Sequence, residues 1–272
     1  MSHSILVAAM LAVTSTSAIA QSTASDPLLS RQGWQLGGQI ANYHYEEPDL
    51  QTQSGDRIDV VLSGNRAGAV GAYTAILGDH VAFIRMDGRI SYGSLKYQGS
   101  GTKRNNEDLI TEFRTVLGPN LRLSDHVSLS PYLGLGYRYL YNDLRGRTST
   151  GAVGYRRYSE YFYAPVGMTL RFRAGGQWVI APTIEYDIFL SGTQVSKLSD
   201  TQLGFSDASN TQDDGYGYRV YLMLENGNFS FGPWVHYWDI EDSDVVLIGG
   251  GFGAMEPANF TLEAGFELRY RY

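Results

Sequence analysis

The chain has no cysteine, which excludes a disulfide framework and a thiolate metal site. Proline is scarce, with 8 in 272 residues, so little interrupts strand formation. Beyond the first twenty residues no stretch of 18 or more apolar residues exists, which excludes helical membrane spans. Basic charge is also short: 21 Lys and Arg stand against 28 Asp and Glu, a net charge of -7. With no basic patch to meet phosphates, a nucleic-acid partner is not expected. The signatures G-x-S-x-G, H-E-x-x-H and a Gly-rich phosphate loop are absent, so no cofactor or resident metal is expected.

What the chain does have is glycine, 32 residues, and tyrosine, 20 residues, a mix that favours turns and aromatic-rich strands. Its mean hydropathy of -0.22 fits a soluble protein and equally a membrane barrel, whose strands bury only alternate residues in lipid. The last segment, NFTLEAGFELRYRY, shows the pattern plainly. Phe260, Leu262, Ala264, Phe266, Leu268, Tyr270 and Tyr272 alternate with Thr261, Glu263, Gly265, Glu267, Arg269 and Arg271. A period of two makes a strand with one apolar and one polar face. At the other end, the apolar run Ile5 to Val13 followed by Ala18-Ile19-Ala20 has the layout of a secretory signal cleaved after Ala20. Residues 21–32 are then expected to be a periplasmic N-terminal segment, and 33–272 a single domain.

Ten segments alternate like the last one, near 33–45, 66–77, 81–95, 108–118, 127–141, 157–173, 177–190, 215–225, 228–240 and 258–272. Short links, at Leu77 to His80, Leu121 to His126, Arg173 to Gln177 and Asn226 to Asn228, alternate with long polar ones near 46–65, 96–107, 142–156, 191–214 and 241–257. This predicts an antiparallel up-and-down barrel of about ten strands, with short periplasmic turns and long extracellular loops. One parity carries Leu133, Leu135, Val166, Met168 and Ile184. The other carries Arg85, Asp87, Arg89, Glu112, Arg114, Arg138, Arg171, Arg173, Glu185, Asp187, Arg219, Glu263, Glu267, Arg269 and Arg271. Aromatic residues of the apolar parity gather at the strand ends. Trp34, Phe172, Trp178, Phe229, Phe231, Tyr270 and Tyr272 lie by the short turns, and Tyr137, Tyr139, Tyr158, Tyr186, Tyr216, Tyr218, Tyr237 and Phe260 by the long loops. Two aromatic belts around an aliphatic band match the two interfaces of a bilayer.

On these residues the chain resembles the small bacterial outer-membrane β-barrel proteins over essentially its whole length after the signal. Leu268, Tyr270 and the terminal Tyr272 are similar to the aromatic-ending signal read by the barrel-assembly machinery in that superfamily. The resemblance implies the outer membrane of a Gram-negative bacterium, with lipid and lipopolysaccharide as surroundings. The strand count resembles omptin proteases and some opacity-type adhesins in architecture only.

Three constellations are candidates for function. The inward charges form either an interlocked salt-bridge plug or a constricted pore whose arginine excess favours anions. Trp234, His236 and Trp238 share the inward parity and are placed towards the extracellular mouth, with Asp239 and His44 as possible partners of the imidazole in a ligand site. The long loops are acidic, with Glu46, Glu47 and Asp49, then Asp200, Asp207, Asp213 and Asp214, then Asp239, Glu241, Asp242 and Asp244. They read as a solvated rim, since the ordered spacing of a calcium loop is missing. The adjacent Asp213 and Asp214 are the one feature shared with omptins, which use paired aspartates and an Asp/His pair across the mouth. The reading is therefore a non-enzymatic surface barrel that binds an extracellular ligand through its loops or passes small solutes. A rim hydrolase, either an omptin-like protease or a lipid hydrolase, is the alternative.

Overall fold

The computed structural model describes residues 26–51, 55, 57–79 and 81–272, so the expected signal sequence lies outside the described residues. Ten long strands follow in order: β1 (Gly33–Gln51), β2 (Arg57–Leu77), β3 (Ala82–Gly99), β4 (Gly101–Pro119), β5 (Val127–Arg147), β6 (Val153–Arg173), β7 (Trp178–Ser196), β8 (Gly215–Asn226), β9 (Phe229–Ile240) and β10 (Asn259–Arg271). Each pairs antiparallel with the next, and β10 returns to β1 with Phe266 opposite Ile40 and Leu268 opposite Gly38. The sheet therefore has no free edge, and the backbone N–H and C=O groups of the regular ladders find their partners within it. Tight turns close one end. In Gly227–Asn228, Gly227 takes a φ of 56°, a left-handed conformation that a glycine at the head of a two-residue hairpin adopts without steric cost.

The long loops expected at the other end are for the most part strand. β3 and β4 meet across Gly99 and Gly101, with only Ser100 between them. β1 and β2 extend to Gln51 and Arg57, and β5 and β6 to Arg147 and Val153. The reason is local. Register irregularities fall between Glu47 and Leu50, between Leu95 and Tyr97, between Asp143 and Gly146, and beside Phe162 and Tyr163 where Leu190 is extra in β7. A bulge inserts one or more unpaired residues and resets the inside/outside phase, so the two-residue period ends there although the strand continues. Beyond Leu190 the inward positions of β7 become Gly192, Gln194 and Ser196. Longer connections remain between β7 and β8, which contain a 3-10 turn at Leu198–Thr201 and a short strand at Ala208–Gln212 pairing with β7, and between β9 and β10.

The outer surface has two zones. On β2 the apolar outer positions run from Ala67 to Leu77, a rise of about 25 Å for a strand tilted near 40°. At that height Ile40, Leu133 and Leu135 are about two-thirds exposed and Ile184 half exposed. A continuous apolar girdle of this size is far larger than the patches a water-soluble monomer shows, and it matches the hydrocarbon of a bilayer. Tyrosines line its upper margin. The rings of Tyr186 and Tyr216 stack at 6.2 Å, and Tyr216 and Tyr237 donate to the Asp239 carboxylate at 3.1 and 2.9 Å. Above it the outer positions are Lys96, Gln98, Glu107, Glu160 and Thr193, all exposed. The barrel thus continues past the lipid-facing band as a polar collar.

Arginine at Leu133 or Ile184 meets the middle of the apolar band. Leu133→Arg and Ile184→Arg should each destabilise the barrel by roughly 2–4 kcal/mol, read as a lowered urea midpoint in lipid vesicles. Unchanged unfolding in both would refute the assignment of the outer face.

Candidate functional site

Inside, the alternation that leaves aliphatic residues outside brings charges from seven strands together. Seven arginines, Arg66, Arg85, Arg89, Arg114, Arg138, Arg219 and Arg269, meet seven carboxylates, Asp87, Asp108, Glu112, Glu185, Asp187, Glu263 and Glu267, in one connected web. Arg89 donates to both oxygens of Glu263 at 2.9 and 3.2 Å and to Glu112 at 2.6 Å. Arg219 donates to Asp187 at 2.6 Å, lies 3.1 Å from Glu185, and also pairs with Glu112. Tyr163 ties these together, accepting from Arg219 at 2.9 Å and donating to Glu112 at 2.5 Å. Arg138 is fully buried 3.6 Å from Glu263. Room for the Tyr163 ring exists because its neighbour Gly136 has no side chain; a Cβ there would collide with the ring.

Arg66 and Asp108 pair with each other, and Asp108 also accepts from Asn142; both belong to the web, although the alternating segments do not single them out. Both sit at the edge of their alternating segments, yet Arg66 is in phase with Val70 and Ala72, and Asp108 with Glu112 and Arg114. Extending the parity by one step finds them. Arg171, Arg173 and Arg271 do not join the web. They lie nearer the turn end, where Arg173 pairs with Asp26 at 3.1 Å and Arg171 approaches Glu225 at 3.9 Å.

The aromatic group is placed differently from the reading above. Trp234, His236 and Trp238 do face inward, but they are buried at mid-height, not at the mouth. His236 Nε2 lies 2.6 Å from the Tyr221 hydroxyl and its ring is 4.4 Å from that of Trp234. Trp238 packs edge-on against Tyr163, with Arg138 over its face at 5.3 Å. Asp239 is one residue further along β9 and so points outward, to the tyrosine belt. His44 is outward as well, 2.8 Å from Glu46 and beside Phe260. Neither is a partner for His236, because an odd step along a strand changes face.

Above the web an apolar layer crosses the lumen, made of Leu62, Leu95, Ile110, Leu140, Phe189 and Ile240 with buried Tyr43, Tyr45, Tyr161 and Tyr163. Tyr43 lies under the Arg66 guanidinium at 3.4 Å, and Tyr45 reaches the other way, donating to Glu47 at 2.6 Å. Over this layer is a cavity of about 360 Å³ within the collar, walled by Leu50, Ile58, Tyr97, Leu144 and Met255. Its floor is Arg157, which donates to Glu47 at 2.6 Å and also pairs with Glu256. Burial pushes the Glu256 carboxyl up to about 7, and Arg157 only partly offsets this. The remaining acidic residues of the rim are scattered: Asp200 binds Arg156 at 2.7 Å, Asp207 binds Lys197 at 2.6 Å, Asp49 lies 3.3 Å from Arg57, and Asp213 and Asp214 are exposed. Among the described residues no three His, Asp or Glu converge as metal ligands.

The turn end is crossed by residues 26–31. Leu28 is fully buried and its carbonyl accepts from Ser128, Asp26 pairs with Arg122 and Arg173, and the Arg31 carbonyl accepts from Arg271 at 2.7 Å. Leu268, Tyr270 and Tyr272 lie on the outer face at this end, with Tyr270 packed on Phe229 at 5.0 Å.

No known family model and no curated protein matches the chain. Solved structures do. The outer membrane protease OmpT of Escherichia coli is similar in fold, with a TM-score of 0.60 at 11% identity over 88% of this chain and 97% of that one. The translocator domain of the autotransporter NalP from Neisseria meningitidis aligns with a TM-score of 0.39 at 11% identity over 89% of this chain and 90% of that chain. The attachment invasion locus protein Ail of Yersinia pestis aligns at 0.30 and 12% identity over 88% of this chain and all of that one. All three are bacterial outer-membrane β-barrels, and the ten-stranded barrel is the architecture this chain shares with the first.

Arg219 holds three carboxylates at once. Arg219→Met leaves Asp187, Glu185 and Glu112 buried with less counter-charge, and should cost about 3–5 kcal/mol in urea unfolding from vesicles. Arg219→Met combined with Asp187→Asn should cost less than the sum of the two. Full additivity would show that the web is not a coupled unit.

Proposed function

We propose that this protein is a non-conducting surface barrel of the Gram-negative outer membrane, exported by its N-terminal signal and inserted by the barrel-assembly machinery. Its turns and both ends of the chain then face the periplasm, and its collar stands in the lipopolysaccharide layer and binds an extracellular ligand. The observation that carries this reading is the filled lumen. A neutral web of paired charge, an apolar layer and the segment 26–31 lie in series across it, and each is a barrier to a hydrated ion. The equal number of arginines and carboxylates in the web also removes the charge bias that an anion-selective pore requires. In the membrane-facing role, Leu268, Tyr270 and Tyr272 serve as the assembly signal.

Binding is assigned to the collar because it alone combines a cavity with reach into solvent. Exposed Ser100 at the β3–β4 tip is part of the lining of the 360 Å³ cavity, so the cavity extends to the outermost hairpins. Extended strand gives that wall a rigidity that a free loop lacks, and a preformed apolar pocket with a few polar groups is the usual form of a small-molecule site. A hydrolase at the rim is the weaker reading, since a carboxylate–imidazole pair at the rim would have to lie within hydrogen-bond reach to act as acid and base. Asp213 and Asp214 are at the rim, whereas His236 is buried at mid-height and His44 faces outward beside Glu46.

In planar bilayers the wild type should show no steady conductance. Arg219→Ala with Glu263→Ala removes two web members that each make three ion pairs; in a barrel still folded by its heat-modifiable gel mobility it should stay silent, because the apolar layer and residues 26–31 still cross the lumen. Steady wild-type current of either selectivity would overturn the non-conducting reading. Cleavage of peptide or lipid abolished by Asp213→Asn in a folded barrel would replace it with the hydrolase.

A further inference from the structure

The arginine excess is concentrated in one place. Between the charge web and residues 26–31 is a cavity of about 110 Å³ lined by Arg31, Arg85, Arg114, Arg171, Arg269 and Arg271 against Asp87, Glu225 and Glu267. Three of those arginines are already matched, since Arg85, Arg114 and Arg269 reach Asp87, and Arg114 and Arg269 also reach Glu185 and Glu267. This leaves Arg31, Arg171 and Arg271 facing Glu225 alone among the described residues, and Glu225 is 3.9 Å from Arg171. The other bonds of these arginines go to neutral groups: Arg31 donates to the Gly227 carbonyl at 2.7 Å, Arg171 to Ser130 at 3.3 Å and Arg271 to the Arg31 carbonyl at 2.7 Å. Arg271 is nine-tenths buried and its Nε has no partner. Arg31, Arg85 and Arg171 repel its charge, and Glu225 attracts it.

Buried like charges repel strongly, and a fold that gathers them gains if a counter-ion joins them. Planar guanidinium forks match tetrahedral oxyanions, to which each gives two parallel hydrogen bonds. An oxyanion of that kind fills roughly 60 Å³, about two waters, so it fits the cavity with its hydroxyl neighbours Ser130, Thr169 and Thr183. We infer that this cavity is a binding site for a phosphate-sized tetrahedral oxyanion, held by Arg171, Arg271 and Arg31 and closed from below by the segment 26–31. The site is inside the barrel, beneath the web, so its ligand is a free anion from the turn-side solvent and not a lipid headgroup. The anion completes the wall at the turn end by linking β6 and β10 to the closing segment.

The test uses the folded full barrel in detergent micelles, titrated with sodium phosphate by calorimetry and melted in phosphate or chloride at equal ionic strength. Phosphate should bind one to one and raise the melting temperature above that in chloride. Arg171→Gln and Arg271→Gln should each weaken phosphate binding by roughly tenfold or more, while Arg145→Gln, at the far end of β5, should not. The sign of the stability change separates ligand binding from a structural role. In chloride Arg171→Gln relieves repulsion and should melt no lower than wild type, whereas in phosphate it should melt lower. Absence of saturable phosphate binding by the wild type, equal stabilisation by chloride, equal loss in Arg145→Gln, or an identical drop for Arg171→Gln in both salts would each overturn the site.

Discussion

The structure depends on one requirement, that a chain with a lipid-facing outside must balance the charges it turns to its inside. Closure of β10 onto β1 pairs the backbone. Side chains meet the requirement through the web, in which each buried guanidinium touches at least one carboxylate and the central ones touch two or three. Removing a charged pair from water is expensive, and the mutual attraction offsets the cost only when nearly every donor and acceptor is used. This is why the web is contiguous rather than a set of separate bridges. Glu263 serves Arg66, Arg89 and Arg138, and Glu112 serves Arg89 and Arg219, so neither carboxylate can be moved without disturbing several strands.

A barrel of ten strands makes that solution available. Its interior is wide enough to hold two layers of long side chains and too narrow to leave a water column beside them. Glycines adjust the fit where the side chains are largest. Gly136 makes space for Tyr163, and a Cβ on Gly265 would approach the Trp234 ring to 2.7 Å. The aromatic residues in turn cover the upper surface of the web, with Tyr163 and Trp238 joining it to the apolar layer. Solubility of the outside in lipid, rigidity of the inside and closure of the lumen are thus consequences of one period-two sequence pattern, read on its two faces.

That pattern made the barrel legible. Strand count, the two aromatic belts and the sorting of Leu133 and Ile184 outward all follow from parity, and the likeness to outer-membrane barrels follows from the same residues. What parity could not supply was anything beyond a bulge. The two-residue period stops near 45, 95, 141 and 190, close to where the register slips, so the collar has the sequence character of loops. Height was equally hidden. Trp234, His236 and Trp238 have the right face, but their depth depends on how far β9 is staggered against β8 and β10, which no single strand encodes. Asp239 and His44 share with His236 the strand ends near the long loops, although both side chains face outward. Arg157, Glu47 and Glu256 come together from three separated segments, and only tertiary pairing reveals them.

The two ends of the lumen are closed by different physics, which bears on what each can do. At the collar the floor has one guanidinium between two carboxylates, beneath mostly apolar walls. Burial raises the Glu256 carboxyl, and Arg157 only partly offsets this, so the floor is the polar part of an otherwise mostly apolar chamber. At the turn end the imbalance is of opposite sign and lies beneath a closing segment fixed by Asp26, Leu28 and Arg31. Between them the web is neutral. A barrel arranged this way keeps its unbalanced charge at two separated cavities and insulates one from the other with paired charge and an apolar layer. The two binding proposals and the proposed silence to ions rest on that one separation of charge.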